Sequence, residues 1–487
     1  MSSRIPGITT ANYPVDSFLQ LVLGLSSCIV LLSVVPAEGQ LHTLEDDLNH
    51  PTVEKRLQAI HQLAGKLEGG EIPPPVAGED VNNHIHTIYS FSPYSPALAV
   101  WNSYKAGLRT AGIMDHDSIS GAEEFIEAGR IIGLATTIGV ECRCDFSATS
   151  LAGRRINNPD QLSNAYIALH GIPHTQIEKV SAFFQPFREA RNRRNRKMVE
   201  GLNGVVREPA LLLDFDADVL PLSMHQEGGS ITERHILFAL AGRLIDRFGR
   251  GAPLLIFLRE KLRLKIGARV RELLEDQTNP HYTYDLLGAL KSDLVGRFYI
   301  DAGDECPGIE ECLAFCERVG AISAYAYLGD ISESVTGDKK AQSFEDSYLE
   351  ELFEILRDLG FRAVTYMPNR NTPEQLARVQ SLCRKHALFE ISGVDINSPR
   401  QSFTCPEIRR DQFRHLIDST WALIGHEAAA TEDLSRGMFA REAIEKYPTL
   451  EQRIAAFGQI GRSRGEIGRR VHDPVSGDRG VSQSGTT

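Results

Sequence analysis

Nowhere among the eight cysteines of this chain, Cys28, Cys142, Cys144, Cys306, Cys312, Cys316, Cys383 and Cys405, does a Cys-x-x-Cys pair occur. That spacing disfavours a zinc knuckle or a disulfide framework and makes reduced, buried thiols the default, with Cys312 and Cys316, one helical turn apart, read as packing residues. Basic excess is missing too. The net charge is −12 over 487 residues, which disfavours a general nucleic-acid coat protein, because phosphate contacts dominate such binding. No internal repeat is visible. One long uncharged run is strongly apolar, Phe18 to Pro36. It has the length of a signal-peptide core or a single membrane anchor, but only Arg4 precedes it and Val35-Pro36-Ala37 is a poor cleavage site. The alternative is an over-extended start, with residues 1–40 outside the functional protein. A cytoplasmic protein is expected in that case, and an exported or anchored one if residues 18–36 are retained.

With 42 % apolar residues the chain can bury a sizeable core. Its length suits one large barrel with an insertion, or two to three domains of about 100–200 residues each. Residues 41–80 begin with leucines at helical spacing and end in Gly69-Gly70 and Pro73-Pro74-Pro75. Strand and helix patterns alternate over 81–175, which implies a parallel sheet or barrel. Over 176–300 charged amphipathic helices dominate, giving a helical insertion. It includes the basic run Arg188, Arg191, Arg193, Arg194, Arg196 and Lys197, read as a solvated helix face rather than a phosphate groove. Alternation returns over 301–460, with strands expected at Ala321–Leu328, Ala363–Met367, Leu388–Val394 and Trp421–Gly425. Residues 461–487, rich in Gly, Ser and Arg, are expected to be disordered.

Chemistry concentrates where the strand patterns end. In Asn83-His84-Ile85-His86-Thr87 the two histidines stand at i and i+2, so on a strand both imidazoles point to one side and reach one ion. The next strand patterns end in Gly112-Ile113-Met114-Asp115-His116-Asp117-Ser118 and Gly139-Val140-Glu141, a short one ends in His170, and a late one leads to Gly393-Val394-Asp395-Ile396-Asn397. Parallel barrels deliver such residues to one face, and imidazole with carboxylate suits zinc, iron or manganese. Asp115 has an alternative role, accepting loop amides. Arg370, after a strand, and Arg400, five residues after Asp395, are placed to reach a substrate phosphate. His235, in Thr232-Glu233-Arg234-His235, opens an apolar helix of the insertion. His426 is a weaker candidate.

Taken together, H-x-H-T, G-I-x-D-H-D-S, G-V-E and G-x-D-x-N, in that order across residues 81–400, resemble the polymerase and histidinol phosphatase (PHP) superfamily. The resemblance implies a distorted seven-stranded (β/α) barrel, here with a large helical insertion, and metal-dependent hydrolysis of a phosphate monoester or diester by a metal-activated water. It implies a first metal site of His84, His86, Glu141 and Asp395, with Glu141 bridging to a second ion held by His170 or His174. It further implies that Asp115 or His116 assists proton transfer and that Arg370 or Arg400 offsets phosphate charge. It also implies His116 and His235 as further metal-ligand candidates, with Arg234-His235 resembling an R-x-H helix start that reaches the pocket, and Tyr327 placed to ligate as a phenolate or hydrogen-bond a phosphate. The chain departs from the family at three positions. Tyr327 stands where a strand-end histidine is expected, Phe91 where an aspartate is expected, and Asn397 where a histidine is expected. One or two divalent ions (Mn, Zn or Fe) are therefore expected, and a small phosphorylated substrate. An exonuclease acting on nucleic-acid ends and a non-catalytic binding scaffold are the alternatives; a stable membrane partner is expected only if residues 18–36 are kept.

Overall fold

The structure is a computed structural model that describes residues 43–330 and 343–470. Residues 1–40, with the apolar run and Cys28, lie outside the described residues, as does the end of the tail. Among the described residues no helix is long and apolar enough to cross a membrane.

Seven strands form one sheet in sequence order: β1 (Val81–Ile85), β2 (Thr110–His116), β3 (Ala135–Asp145), β4 (Asn164–His170), β5 (Ile322–Ala326), β6 (Ala363–Tyr366) and β7 (Phe389–Ser392). The sheet curls until its first strand meets the segment after its last. The His86 amide donates to the Ile396 carbonyl at 2.9 Å, and the Ile396 amide to the His84 carbonyl at 3.1 Å. Asn82 and Asn83 complete the seam, each donating a side-chain amide to backbone near β7: Asn82 to Val394 at 3.1 Å and Asn83 to Ser392 at 2.8 Å. The result is a nearly closed barrel. Gly393 permits this approach, since a Cβ there would lie 2.6 Å from that of His84.

Helices α2 (Pro96–Lys105) and α3 (Ala122–Ile132) pack on the first strands, and α1 (Val53–Glu68) packs on α3 and α2. A helical insertion follows, comprising α4 (Ile177–Val206), α5 (Glu233–Phe248), α6 (Ala252–Glu260), α7 (Ala268–Glu275) and α8 (Tyr282–Leu294), with a hydrophobic core of its own around Leu237, Leu240, Leu258 and Leu286. Then α9 (Ile309–Arg318), α10 (Leu349–Leu359) and α11 (Pro373–His386) return to the barrel. The chain closes with α12 (His415–Glu432), α13 (Arg441–Lys446) and α14 (Leu450–Arg470).

Three expectations change. β4 is antiparallel to both β3 and β5: the link from β3 is a hairpin loop, not the crossover helix a parallel strand needs. Trp421–Gly425, expected as a strand, lies in α12, whose apolar residues are buried on nearly every side because the helix is wedged against the sheet and α14; an apolar run of that length does not distinguish a buried helix from a strand. The tail is helical to Arg470. Gly425 and Gly461 let α12 and α14 touch, since a Cβ on either would fall about 2 Å from a carbonyl oxygen of the other helix. Arg464 also pairs with Glu432 on α12.

Candidate metal centre

β1 sets the first two imidazoles side by side, with ring centroids 5.0 Å apart. Glu141 comes from the middle of β3, and its Oε2 lies 3.6 Å from His84 Nε2 and 3.8 Å from His86 Nε2. These three donor atoms form a compact buried group able to hold an ion. His116, at the end of β2, brings Nδ1 to 3.1 Å from the same oxygen, and Asp395 brings Oδ1 to 3.2 Å from His86 Nε2. All five side chains line one cleft of about 330 Å³ at the barrel mouth.

The donor chemistry fits a divalent cation. His86 Nε2 is buried without a hydrogen-bond partner, a costly state for an imidazole nitrogen unless another ligand takes it. Burial opposes charge on Glu141, yet the imidazoles of His84 and His116 hold its carboxyl down to about 2, so it is ionised at neutral pH. Burial also opposes charge on Asp395, but the His86 and His84 imidazoles beside it keep it well below the ordinary carboxylate range. For His116 burial prevails, and its imidazole is neutral. Carboxylates held ionised beside imidazole nitrogens are a donor set that zinc, iron or manganese accept.

Asp115 is not beside this group. Its carboxylate accepts from the Thr87 amide at 2.7 Å, the Thr87 hydroxyl at 2.5 Å and the Ser90 hydroxyl at 2.6 Å. Ser90 Oγ lies 3.3 Å from His86 Nδ1. Asp115 therefore orients His86 through Ser90, a carboxylate-hydroxyl-imidazole chain of the kind that fixes metal-binding histidines. Asn397 donates to Asp395 Oδ1 at 2.5 Å and so positions a candidate ligand.

Other expected residues sit elsewhere. His170 ends the antiparallel strand, opposite Gly139 and Ile322, so it lies in the layer beneath Glu141 and outside the donor group. Burial lowers its imidazole to about 3. His174 binds Glu427 at 2.9 Å at the far end of the barrel. His235 caps its own helix, its Nδ1 accepting from the Thr232 amide at 3.0 Å, and packs edge-on against Phe91. Phe91, at the position where an aspartate was expected, joins Phe238 and Tyr284 in holding the insertion to the barrel. The Tyr327 hydroxyl lines the cleft but donates to Asp346 at 2.7 Å; burial and that carboxylate push its ionisation far above neutral pH, so it offers no phenolate. Arg370 donates to the Leu328 carbonyl at 3.1 Å and does not line the cleft. Arg400 forms a fork on Asp285 of α8, at 2.7 and 2.8 Å, which ties the insertion down instead of reaching the site. His426 lies below the sheet, bound to the Gly320 carbonyl and the Met438 amide.

The cations that do line the cleft are Arg143, Arg191, Arg234 and Lys291. The basic run of α4 is not a solvated face. Arg188, Arg191 and Arg194 are buried, while Arg193 and Arg196 are exposed. Their partners come from distant segments: Arg191 pairs with Asp117 at 2.9 Å, Arg194 with Glu233 at 2.5 Å and Glu305 at 2.6 Å, and Arg143 with Glu305. Asp117, at φ +49°, occupies the left-handed region, where its carbonyl accepts from Arg188 at 2.9 Å. Tyr166 of β4 also lines the cleft, with its ring 5.9 Å from that of His116. Strand alternation was the signal for Arg143, which shares the inward face of Glu141 two residues on. Tyr166 follows only once β4 is known to run antiparallel.

No family model matches the chain, and no curated protein does. Solved structures similar to it include two. One is a candidate metal-dependent phosphoesterase from Bifidobacterium adolescentis, at 22 % identity and TM-score 0.46, covering 71 % of this chain and 97 % of that one. The other is an amidohydrolase from Chromobacterium violaceum with bound sulfate and no metal, at 16 % identity and TM-score 0.45, covering 70 % and 96 %.

Proposed function

We propose that this chain is a metal-dependent phosphoesterase acting on a small phosphorylated molecule. The observation that supports this reading is the pairing, in one cleft, of a histidine-carboxylate donor group with a wall carrying Arg143, Arg191, Arg234 and Lys291. A donor group alone serves many hydrolases; a facing set of cations suits a substrate with phosphate oxygens. A cleft of about 330 Å³ suits a small molecule better than a nucleic-acid strand.

His84, His86, Glu141 and Asp395 would hold the ion, with His116 next to them. When bound, a divalent ion supplies Lewis-acid polarisation and a nucleophile at neutral pH. The chain's own residues do the rest. Arg234 and Lys291 bind and orient the anion. Arg143 and Arg191, each already paired with a buried carboxylate (Glu305 and Asp117), hold that wall in shape rather than add net charge. His116, neutral and with Nδ1 on Glu141, keeps a nitrogen able to take or return a proton. Tyr166 and Tyr327 shape the walls.

The test is a screen of the full chain, with added Mn²⁺, Zn²⁺ or Fe²⁺, against small phosphomonoesters, phosphodiesters and oligonucleotides. Hydrolysis of a small ester is expected, with kcat/KM about 10- to 100-fold lower in Arg234→Gln while bound metal is unchanged. Turnover of oligonucleotides alone, or none of any ester, would refute the reading.

A further inference from the structure

A second group of metal-ligating side chains lies on the opposite side of the sheet from the cleft. Cys142 and Cys144 alternate with Glu141 and Arg143 along β3, so they face outward, under α9. The start of α9 is fastened to the end of β3: the Asp145 amide donates to the Pro307 carbonyl at 2.9 Å, and Asp145 and Gly308 form a bridge. This fastening drops Cys312, in the first turns of α9, onto the two strand cysteines. Sγ of Cys142 lies 3.8 Å from that of Cys144 and 3.9 Å from that of Cys312, and all three sulfurs lie within 4.8 Å of one another.

These spacings are not those of a disulfide, which needs about 2 Å. Three sulfurs about 2.3 Å from one central ion lie about 3.8–4.0 Å apart. We propose that Cys142, Cys144 and Cys312 form a structural site for a soft monovalent cation, Cu(I), bound by three sulfurs between β3 and α9. Thiolates select soft ions. Among the described residues no further His, Cys, Asp or Glu joins the group, and its members are at most 1 % exposed, which denies water the fourth position that zinc takes in structural sites. Sulfur hydrogen bonds within the group and burial push the Cys142 and Cys144 thiols up while holding Cys312, near the amino end of α9, below the usual thiol range. Each thiol that binds as thiolate releases its proton. Cys316, one turn on, gives its thiol to the Ala321 carbonyl at 3.4 Å and stands apart from the three.

The full chain, reduced and loaded anaerobically with Cu(I), is dialysed against a Cu(I) chelator, and its copper and zinc are counted by mass spectrometry. About one copper per chain should resist removal. That copper should be lost in Cys142→Ser, Cys144→Ser and Cys312→Ser, each checked for folding by circular dichroism, and kept in Cys316→Ser. X-ray absorption should find sulfur alone around it. No retained copper, copper retained equally in all variants, a nitrogen-ligated ion, or zinc in its place would each overturn the proposal; the first would leave three thiols that only pack. If the single variants fail to fold, the absorption spectrum of the wild type decides.

Discussion

The two ends of the barrel carry the same residue types in different chemical states. At the mouth stand His84, His86, His116, Glu141 and Asp395; at the base stand His174, His426 and Glu427. These three base residues are satisfied. His426 uses both ring nitrogens, on Gly320 and Met438, and Glu427 accepts from Thr137, Ile138 and His174. Those bonds pin α12 to the sheet. At the mouth His86 Nε2 has no hydrogen-bond partner, and three imidazoles converge on one oxygen of Glu141. A histidine beside a carboxylate is thus no signal by itself. What separates a ligand from a staple is whether its lone pairs are already used.

The largest effect should come from Glu141, the group every mouth imidazole shares. Glu141→Gln keeps the volume and removes the charge, and phosphoesterase turnover should fall by about 10³-fold, read by steady-state kinetics at saturating metal. A smaller loss would mean that the mouth tolerates a neutral centre, as the base would.

Glu345 sharpens the contrast, because it is a carboxyl near the mouth whose Oε1 is already used. It accepts from the Tyr325 hydroxyl at 3.1 Å and the Leu328 amide at 2.9 Å. Burial holds it up to about 7, against an ordinary 4.5. The folded state therefore binds more protons than the unfolded one between those values. Its contribution to stability is complete below about pH 4.5 and lost as pH rises through about 7. Glu345→Gln can keep the accepted bonds without the charge. The variant should exceed the wild type by up to about 3 kcal/mol at pH 8 and show no advantage at pH 4, in denaturant titrations at the two pH values.

Asp115→Asn probes the support behind the mouth. Breaking the chain through Ser90 to His86 should weaken metal binding about 10- to 100-fold, measured by chelator competition, with little loss of stability. An unchanged affinity would assign Asp115 to the Thr87 turn alone.

Much of the mouth could be read from sequence. His84 and His86 share a side through the two-residue period of a strand, and Glu141 and Asp395 follow from strand ends delivered to one face. The errors came from properties no local pattern carries. Strand direction sets His170 one layer beneath Glu141: a seven-residue strand reads the same whichever way it runs, and β4 returns by a hairpin. The burial of Arg188, Arg191 and Arg194 depends on Asp117, Glu233 and Glu305, which lie between about 40 and 115 residues away, so the run looked solvated. Arg400 was aimed at a phosphate because Asp285, its partner, belongs to the insertion. Trp421–Gly425 within α12 reads as a strand because a helix buried on most sides loses its polar stripe.

The most direct test compares the two ends by metal content. Wild type, His86→Ala and His426→Ala are purified, loaded with Mn²⁺ or Zn²⁺, desalted and analysed by mass spectrometry. Bound metal should be lost in His86→Ala and unchanged in His426→Ala, which instead loses about 1–3 kcal/mol of stability as its backbone partners go unpaired. Equal metal in all three, or loss from His426→Ala alone, would contradict the assignment of the mouth as the metal centre.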